Sequence, residues 1–182
     1  MDKAKILFLD IDGVLNISRY GEDVYSEGDK QHKDLVKPCV PIVTSCYEAL
    51  KSIADNVPEL KVIWSTDWRM HDDEEWYGWK NPLKWLEANC SFLNGKIVGK
   101  TPKKMSSDRP EEIAMWLSDN EREKTYDILG YAILDDYAPH AMYWFGKHFF
   151  RTWFDTGLTS NLAKSVIECL NTFGYDKPAF MH

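Results

Sequence analysis

The sequence predicts an α/β protein, a three-layer sandwich with helices covering both faces of a mostly parallel sheet. Three observations predict it. Short, near-continuous apolar runs recur along the chain, the pattern of parallel strands buried on both sides. Stretches with apolar residues at helical spacing alternate with those runs, which implies right-handed crossovers. Three of the runs also end in acidic or hydroxyl side chains, at the edge where an open parallel sheet binds its ligands.

The elements follow in order. Lys5–Leu9 is the first strand. Asn16–Lys37 is polar and glycine-containing and holds no long helical period, so it reads as a loop with a small hairpin. Pro41–Ala54 carries Val43, Tyr47, Leu50 and Ile53/Ala54 at helical spacing, with Pro41 suited to a helix start. Leu60–Trp64 is the second strand. Trp68–Asn94 is rich in tryptophan and acid, with a helix expected over Pro82–Ala88. Ile97 and Val98 suit a short strand. Pro110–Ser118 places Ile113, Trp116 and Leu117 on one helical face. Tyr131–Leu134 is a further strand, ending in Asp135 and Asp136. His148–Phe154 is the last strand, bent by the Asp155-Thr156-Gly157 turn, and Leu162, Val166, Ile167 and Leu170 form the stripe of a closing helix. No repeat, low-complexity tract or linker divides the chain, so residues 1–182 are expected to form one domain.

A chain of 182 residues is long enough to bury a substantial core. Its formal charge of −7 argues against broad attraction to a polyanion, although a local basic patch is compatible with it. Cys39, Cys46, Cys90 and Cys169 show no C-x-x-C pair and no metal-finger spacing, and read as buried or incidental thiols in a reducing compartment. The apolar run Ile6–Leu9, cut short by Asp10 and Asp12, is too brief and too acidic for a signal peptide. No stretch approaches the length that spans a bilayer. The expectation is a soluble cytoplasmic protein that needs no membrane and no obligate protein partner.

The reactive side chains gather at strand ends. The first strand delivers Asp10-Ile11-Asp12-Gly13, the second Ser65-Thr66-Asp67, and the Tyr131–Leu134 strand Asp135-Asp136. Converging acids repel one another unless a cation sits among them, and an all-oxygen donor set favours Mg²⁺. Gly13 lets the chain leave strand geometry after Asp10, so the two nearby aspartates can take different roles. One carboxylate is then suited to attack phosphorus. The other can protonate the leaving oxygen and later take a proton from water. The plain alternative is that Asp10 and Asp12 merely cap a turn.

Asp10-Ile11-Asp12-Gly13-Val14-Leu15-Asn16 resembles the first motif of the haloacid dehalogenase-like (HAD) superfamily. The resemblance implies that Asp10 is nucleophile and Asp12 general acid/base. Val62-Ile63-Trp64-Ser65 resembles the second motif, whose hydroxyl binds the transferring phosphoryl group; this favours Ser65, with Thr66 supplying a backbone amide. Leu134-Asp135-Asp136 resembles the fourth motif, the acidic pair that holds the metal. The implied Mg²⁺ ligands are therefore Asp10, Asp12 and Asp135 or Asp136. Ser65-Thr66-Asp67-Trp68-Arg69, Arg109-Pro110-Glu111-Glu112-Ile113 before Trp116-Leu117, and Thr156-Gly157-Leu158-Thr159 are similar to the capless HAD domains associated with bacterial RNA-repair proteins. A HAD-like, Rossmann-like sheet without a large cap domain is implied, since neither Asn16–Val57 nor Trp68–Asn94 has room for one.

Several choices stay open at this level. The third-motif cation that balances Asp10 and the phosphoryl oxygens is Arg109 first and Lys103 second, with Lys100 and Lys104 close by. Asp67 and Arg69 could equally form a local ion pair. Trp64, Trp68, Trp76, Trp79 and Trp85 either stack on a base or, the preferred reading, bury the insert against the sheet. The run His71–Glu75 reads as a solvated helix start. The expected activity is phosphomonoester hydrolysis on a small molecule or a nucleic-acid end. The rivals are a non-catalytic phosphate-end binding module, a phosphotransferase using the same first step, and carbon–halogen hydrolysis, which Asp12 disfavours.

Overall fold

Period-two alternation divides the first strand between two cores. In the computed structural model, which describes residues 1–17, 42–71, 82–103, 108–137 and 141–178, Ile6 and Phe8 of β1 (Asp2–Leu9) belong to one core and Leu7 and Leu9 to the other. All four are fully buried. A strand covered on both faces has to be apolar throughout, and this one is.

The sheet runs β3-β2-β1-β4-β5, and every strand pair is parallel. The strands are β2 (Leu60–Trp64), β3 (Ile97–Lys100), β4 (Tyr126–Asp135) and β5 (Phe149–Arg151) beside β1. Helices α1 (Thr44–Asn56), α2 (Pro82–Asn89) and α5 (Ser160–Thr172) pack on the Leu7/Leu9 face. The opposite face is covered by α3 (Arg109–Glu123) and α4 (Ala141–Phe145). The result is the α/β three-layer sandwich, and among the described residues there is no cap domain. No described helix is long and apolar enough to cross a membrane.

Local chemistry sets the helix ends. The Asp108 side chain accepts a hydrogen bond from the Glu111 amide at the start of α3, Pro110 follows at once, and Glu111 and Glu112 occupy the acid-favouring first turn. Lys124 closes that helix in the left-handed region. The Asn120 carboxamide then accepts from the Tyr126 amide and donates to the Tyr126 carbonyl, which clamps the turn into β4. Thr159 caps α5 by accepting from the Leu162 amide.

The expected strands and helices are present, with shifted bounds. β4 begins at Tyr126 rather than Tyr131, because Asp2–Ala4 of β1 pair with Tyr126–Ile128. The last strand is only Phe149–Arg151, because this edge strand pairs with no more of β4 than Ile133–Asp135. The expectations for the Asn16–Lys37 loop, for Pro41, Cys39 and Lys104, for the His71–Glu75 run and for Trp76, Trp79 and Trp85 fall wholly or largely outside the described residues.

Candidate active site

The three central strands point their carboxyl ends at one rim. β1 delivers Asp10, whose amide donates to the Leu134 carbonyl of β4, and the Ser65 amide donates to Leu9 of β1. These bonds carry the parallel ladders one step past the strands, so Asp10, Ser65 and Asp135 are set by sheet geometry rather than by loops.

Beyond Asp10 the chain turns sharply. The Ile11 carbonyl accepts from the amides of Val14, Leu15 and Asn16, and Gly13 adopts φ +68°, a left-handed conformation open to glycine at no steric cost. A Cβ on Gly13 would fall 2.7 Å from the Asp136 Cβ and closer still to its carboxylate. The loop can therefore close onto Asp136 only with glycine in this place.

One ligand atom from each of Asp10, Asp135 and Asp136 lies within 4.8 Å of the others. Asp10 and Asp135 are buried, and the Asp135 Oδ2 has no hydrogen-bond partner among the described residues. Burial, and then the charge of Asp135, push the Asp10 carboxyl well above its ordinary value despite the opposing Arg109. Burial raises Asp135 to about 6, against Arg109 and the Tyr137 amide. Asp136 is raised as well, chiefly by burial. Three crowded, partly desolvated carboxylates with an orphaned oxygen form the donor set that a small hard dication would relieve. The residues present fit Mg²⁺.

Asp12 departs from the expected ligand set. Its carboxylate is not part of the cluster: Oδ1 accepts from Asn16 Nδ2 at 2.7 Å and Oδ2 from the indole Nε1 of Trp68 at 2.9 Å. In an extended strand two residues apart share a face, which would send Asp10 and Asp12 to one ion. The turn at Ile11 ends that periodicity, and the two carboxylates separate.

Arg109, at the first position of α3, is the cation that reaches the acids. Its Nη1 lies 3.9 Å from Asp10 Oδ1, Nε 3.8 Å from Asp135 Oδ2 and Nη2 3.8 Å from Asp67 Oδ1. Burial alone would lower its pKa, but Asp10, Asp135 and Asp67 outweigh it and hold the guanidinium above its ordinary value. Nη1 is buried and makes no hydrogen bond among the described residues. Lys103, the second choice, is half-exposed and bonds Asp67 Oδ1 at 3.3 Å. Burial works against the ionised form of Asp67, yet Arg109 and Lys103 hold it below the usual range. Lys100 lies at the end of β3, and Lys104 falls outside the described residues.

The hydroxyl pair also separates. Thr66 is hydrogen-bonded through its side chain to Asp10, whereas the buried Ser65 Oγ has no partner among the described residues. Behind them Arg69 pairs with Glu112 of α3 and donates to the Thr66 carbonyl, all of it buried. The hydrogen-bonded partner of Arg69 is thus across elements, with the Asp67 charge acting on it as well. Trp64 and Trp68 are buried, as the packing reading of the tryptophans requires. Sequence reasoning gave no role to Trp68 or Asn16 at Asp12, or to Glu112. Asn16 lies inside the first motif, and Trp68 and Glu112 lie inside the shorter family-like strings, so each stood in a segment already marked.

The family described as "HAD domain in Swiss Army Knife RNA repair proteins" matches residues 6–163. No curated protein matches the chain. Among solved structures, the HAD domain of effector protein Lem4 from Legionella pneumophila superposes with a TM-score of 0.52 at 13% identity, covering 93% of this chain and 97% of that one. An inactive mutant of the same domain gives 0.50 at 11% identity, covering 94% and 96%. What the chain shares with those two structures is the fold.

Proposed function

This chain belongs to the family of HAD domains in Swiss Army Knife RNA repair proteins, and from that premise we propose that it is a Mg²⁺-dependent phosphomonoesterase working through phospho-Asp10. The observation that carries the reading is the buried cluster of Asp10, Asp135 and Asp136 with the Arg109 guanidinium between Asp10 and Asp135. At this strand-end rim an Asp135 carboxylate oxygen, the Ser65 hydroxyl and an Arg109 N–H have no hydrogen-bond partner among the described residues, from which a purely structural acid cluster gains nothing. A tetrahedral dianion satisfies the two donors, and a cation the acceptor.

Bound by Asp10, Asp135 and Asp136, Mg²⁺ would keep these carboxylates ionised and neutralise the phosphoryl oxygens. The Asp10 carboxylate attacks phosphorus as the bond to the leaving oxygen breaks. Ser65 Oγ and Arg109 Nη1 donate to the phosphoryl oxygens. Asp12, held apart from the cluster by Trp68 and Asn16, gives its proton to the leaving oxygen. It then takes a proton from the water that cleaves the aspartyl phosphate, and inorganic phosphate leaves. The substrates we assign are phosphomonoesters, either small or at a nucleic-acid end, the latter in keeping with the family's description. A single domain in a reducing, cytoplasmic setting suits the buried Cys46, Cys90 and Cys169.

The test is hydrolysis of p-nitrophenyl phosphate by the purified chain. Turnover should require Mg²⁺, stop with EDTA and fall at least ~10³-fold in both Asp10→Asn and Asp12→Asn, each with unchanged circular dichroism. Full activity in Asp10→Asn removes the nucleophile. Phosphate binding without turnover would favour the binding module.

A further inference from the structure

Beside the acids, beyond the ends of β4 and β5, lies a cavity of about 320 Å³ lined by Arg151, Thr152, Trp153, Gly157, Thr159 and Asn161 among others. That volume falls within the range of small-molecule sites, about 300–1,000 Å³. Its position is tied to the catalytic rim by short links. The Thr152 amide donates to the Asp135 carbonyl at 3.1 Å, and Arg151 Nε donates to the Asp136 carbonyl at 3.2 Å. On the other side, the Leu158 amide donates to the carbonyl of Val14 in the Asp10–Asn16 loop.

Three features mark it as a built site. Trp153 is 61% exposed, although every residue of its type assigned to the core is almost fully covered. The Arg151 guanidinium lies 4.5 Å from the centroid of the Trp153 ring, a cation–aromatic pair whose two members both line the cavity. Thr152 is 1% exposed, and its hydroxyl has no hydrogen-bond partner among the described residues. A buried hydroxyl left unpaired costs stability, and this one belongs to a residue of the cavity wall. An aromatic face, a guanidinium, an unused hydroxyl and a carboxamide match a flat heterocycle with edge donors and acceptors attached to a sugar.

Resting on the phosphatase reading, we infer that this cavity is the nucleoside subsite of the enzyme. It stacks the base of a nucleoside monophosphate on Trp153 while the phosphate reaches the Asp10 cluster. The net charge of −7 argues against broad attraction to a long polyanion. The ligand is therefore a single nucleotide unit, free or at the end of an oligonucleotide. These aromatics are not the tryptophans of the insert. The exposed platform comes from the β5 end, with Phe154 next to it in the chain.

The test separates subsite from chemistry. Adenosine, which carries no phosphate, is titrated into the full metal-free chain and followed by NMR. Saturable binding is expected, weakened about tenfold in Trp153→Ala, the scale of losing one base–aromatic stack. Thr152→Val should weaken it severalfold without lowering the melting temperature. With Mg²⁺, the kcat/KM ratio of adenosine monophosphates to glycerol phosphate should fall about tenfold in Trp153→Ala. Comparing the 3′- and 5′-monophosphates with a phosphorylated oligoribonucleotide tells a free nucleotide from a strand end. Absence of adenosine binding, or equal binding by both variants, overturns the subsite whatever the turnover. Adenosine binding through Trp153 in a protein that hydrolyses no phosphomonoester overturns the phosphatase reading instead. Preference for phosphotyrosine peptides over every nucleotide also overturns the subsite.

Discussion

Gly13→Ala separates the backbone demand of the Asp10–Asn16 loop from its chemistry. Two effects are expected. The first is strain at φ +68°, which costs an L-residue about 1–2 kcal/mol. Reduced freedom of the unfolded chain returns roughly 0.4–1 kcal/mol of that. A net loss of about 1 kcal/mol lowers the melting temperature of a chain this size by only about 2–4 °C. The second effect is steric. The new methyl falls 2.7 Å from the Asp136 Cβ and nearer its carboxylate, so Asp136 must retreat by about 1 Å to reach ordinary contact, and a misplacement of that size costs about 10²-fold in rate. Turnover at saturating Mg²⁺ should fall by about that factor, and the Mg²⁺ concentration for half-activity should rise. Gly95→Ala is the matched control, since Gly95 has φ +73° with nothing within 4 Å of an added Cβ. It should show the same small thermal loss with wild-type kinetics. If Gly13→Ala keeps wild-type turnover and Mg²⁺ dependence while melting like Gly95→Ala, the close approach of Asp136 to the loop has no part in catalysis.

Asp135→Asn should be inactive yet stabilise the metal-free protein. The folded pKa of about 6 lies above the reference 3.8, so the folded state binds more protons in that window. Stability falls as pH rises through it, and the deficit, on the order of 3 kcal/mol, is complete above it. Thermal melts in EDTA at pH 4 and pH 8 should show the variant gaining only at the higher pH. His148 carries the opposite sign: burial pushes its imidazole below the reference 6.5, so the unfolded chain gains protons first as pH drops below 6.5. Stability should decline there, and His148→Phe, measured by melts between pH 7 and 5, should flatten that decline. Arg69→Met takes its hydrogen-bonded guanidinium from the buried Glu112 and leaves Lys103 at 4.0 Å, which should cost up to about 3–5 kcal/mol in urea unfolding. The double change Arg69→Met with Glu112→Leu should recover most of it, and no recovery would refute the pairing.

The division between what was legible in the sequence and what was not follows chain distance. β2 was readable to the residue because Leu60–Trp64 is apolar but for Lys61 and is bounded by Glu59 and Ser65. The outer turns of β4 were not, because Asp127 faces solvent where β4 pairs with the start of β1. Asp10, Ser65 and Asp135 were readable because a parallel sheet puts the residue after each strand on the same rim. Choosing Arg109 over Lys103 needed the helix start, and Asp108 and Pro110 supply it locally. They place Arg109 at the first turn of α3, where it meets Asp10 and Asp135. The donors that hold Asp12 have different standing. Asn16 is four residues away and lies within one turn, whereas Trp68 is 56 residues distant and Glu112 is 43 residues from Arg69. No local pattern encodes those pairs, because each depends on which strands become neighbours. The ligand role of Asp12 came from the resemblance of its motif, while Gly13 already allowed Asp10 and Asp12 to part. Trp68, carried from the end of β2, fixes where the Asp12 carboxylate points, outside the group formed by Asp10, Asp135 and Asp136.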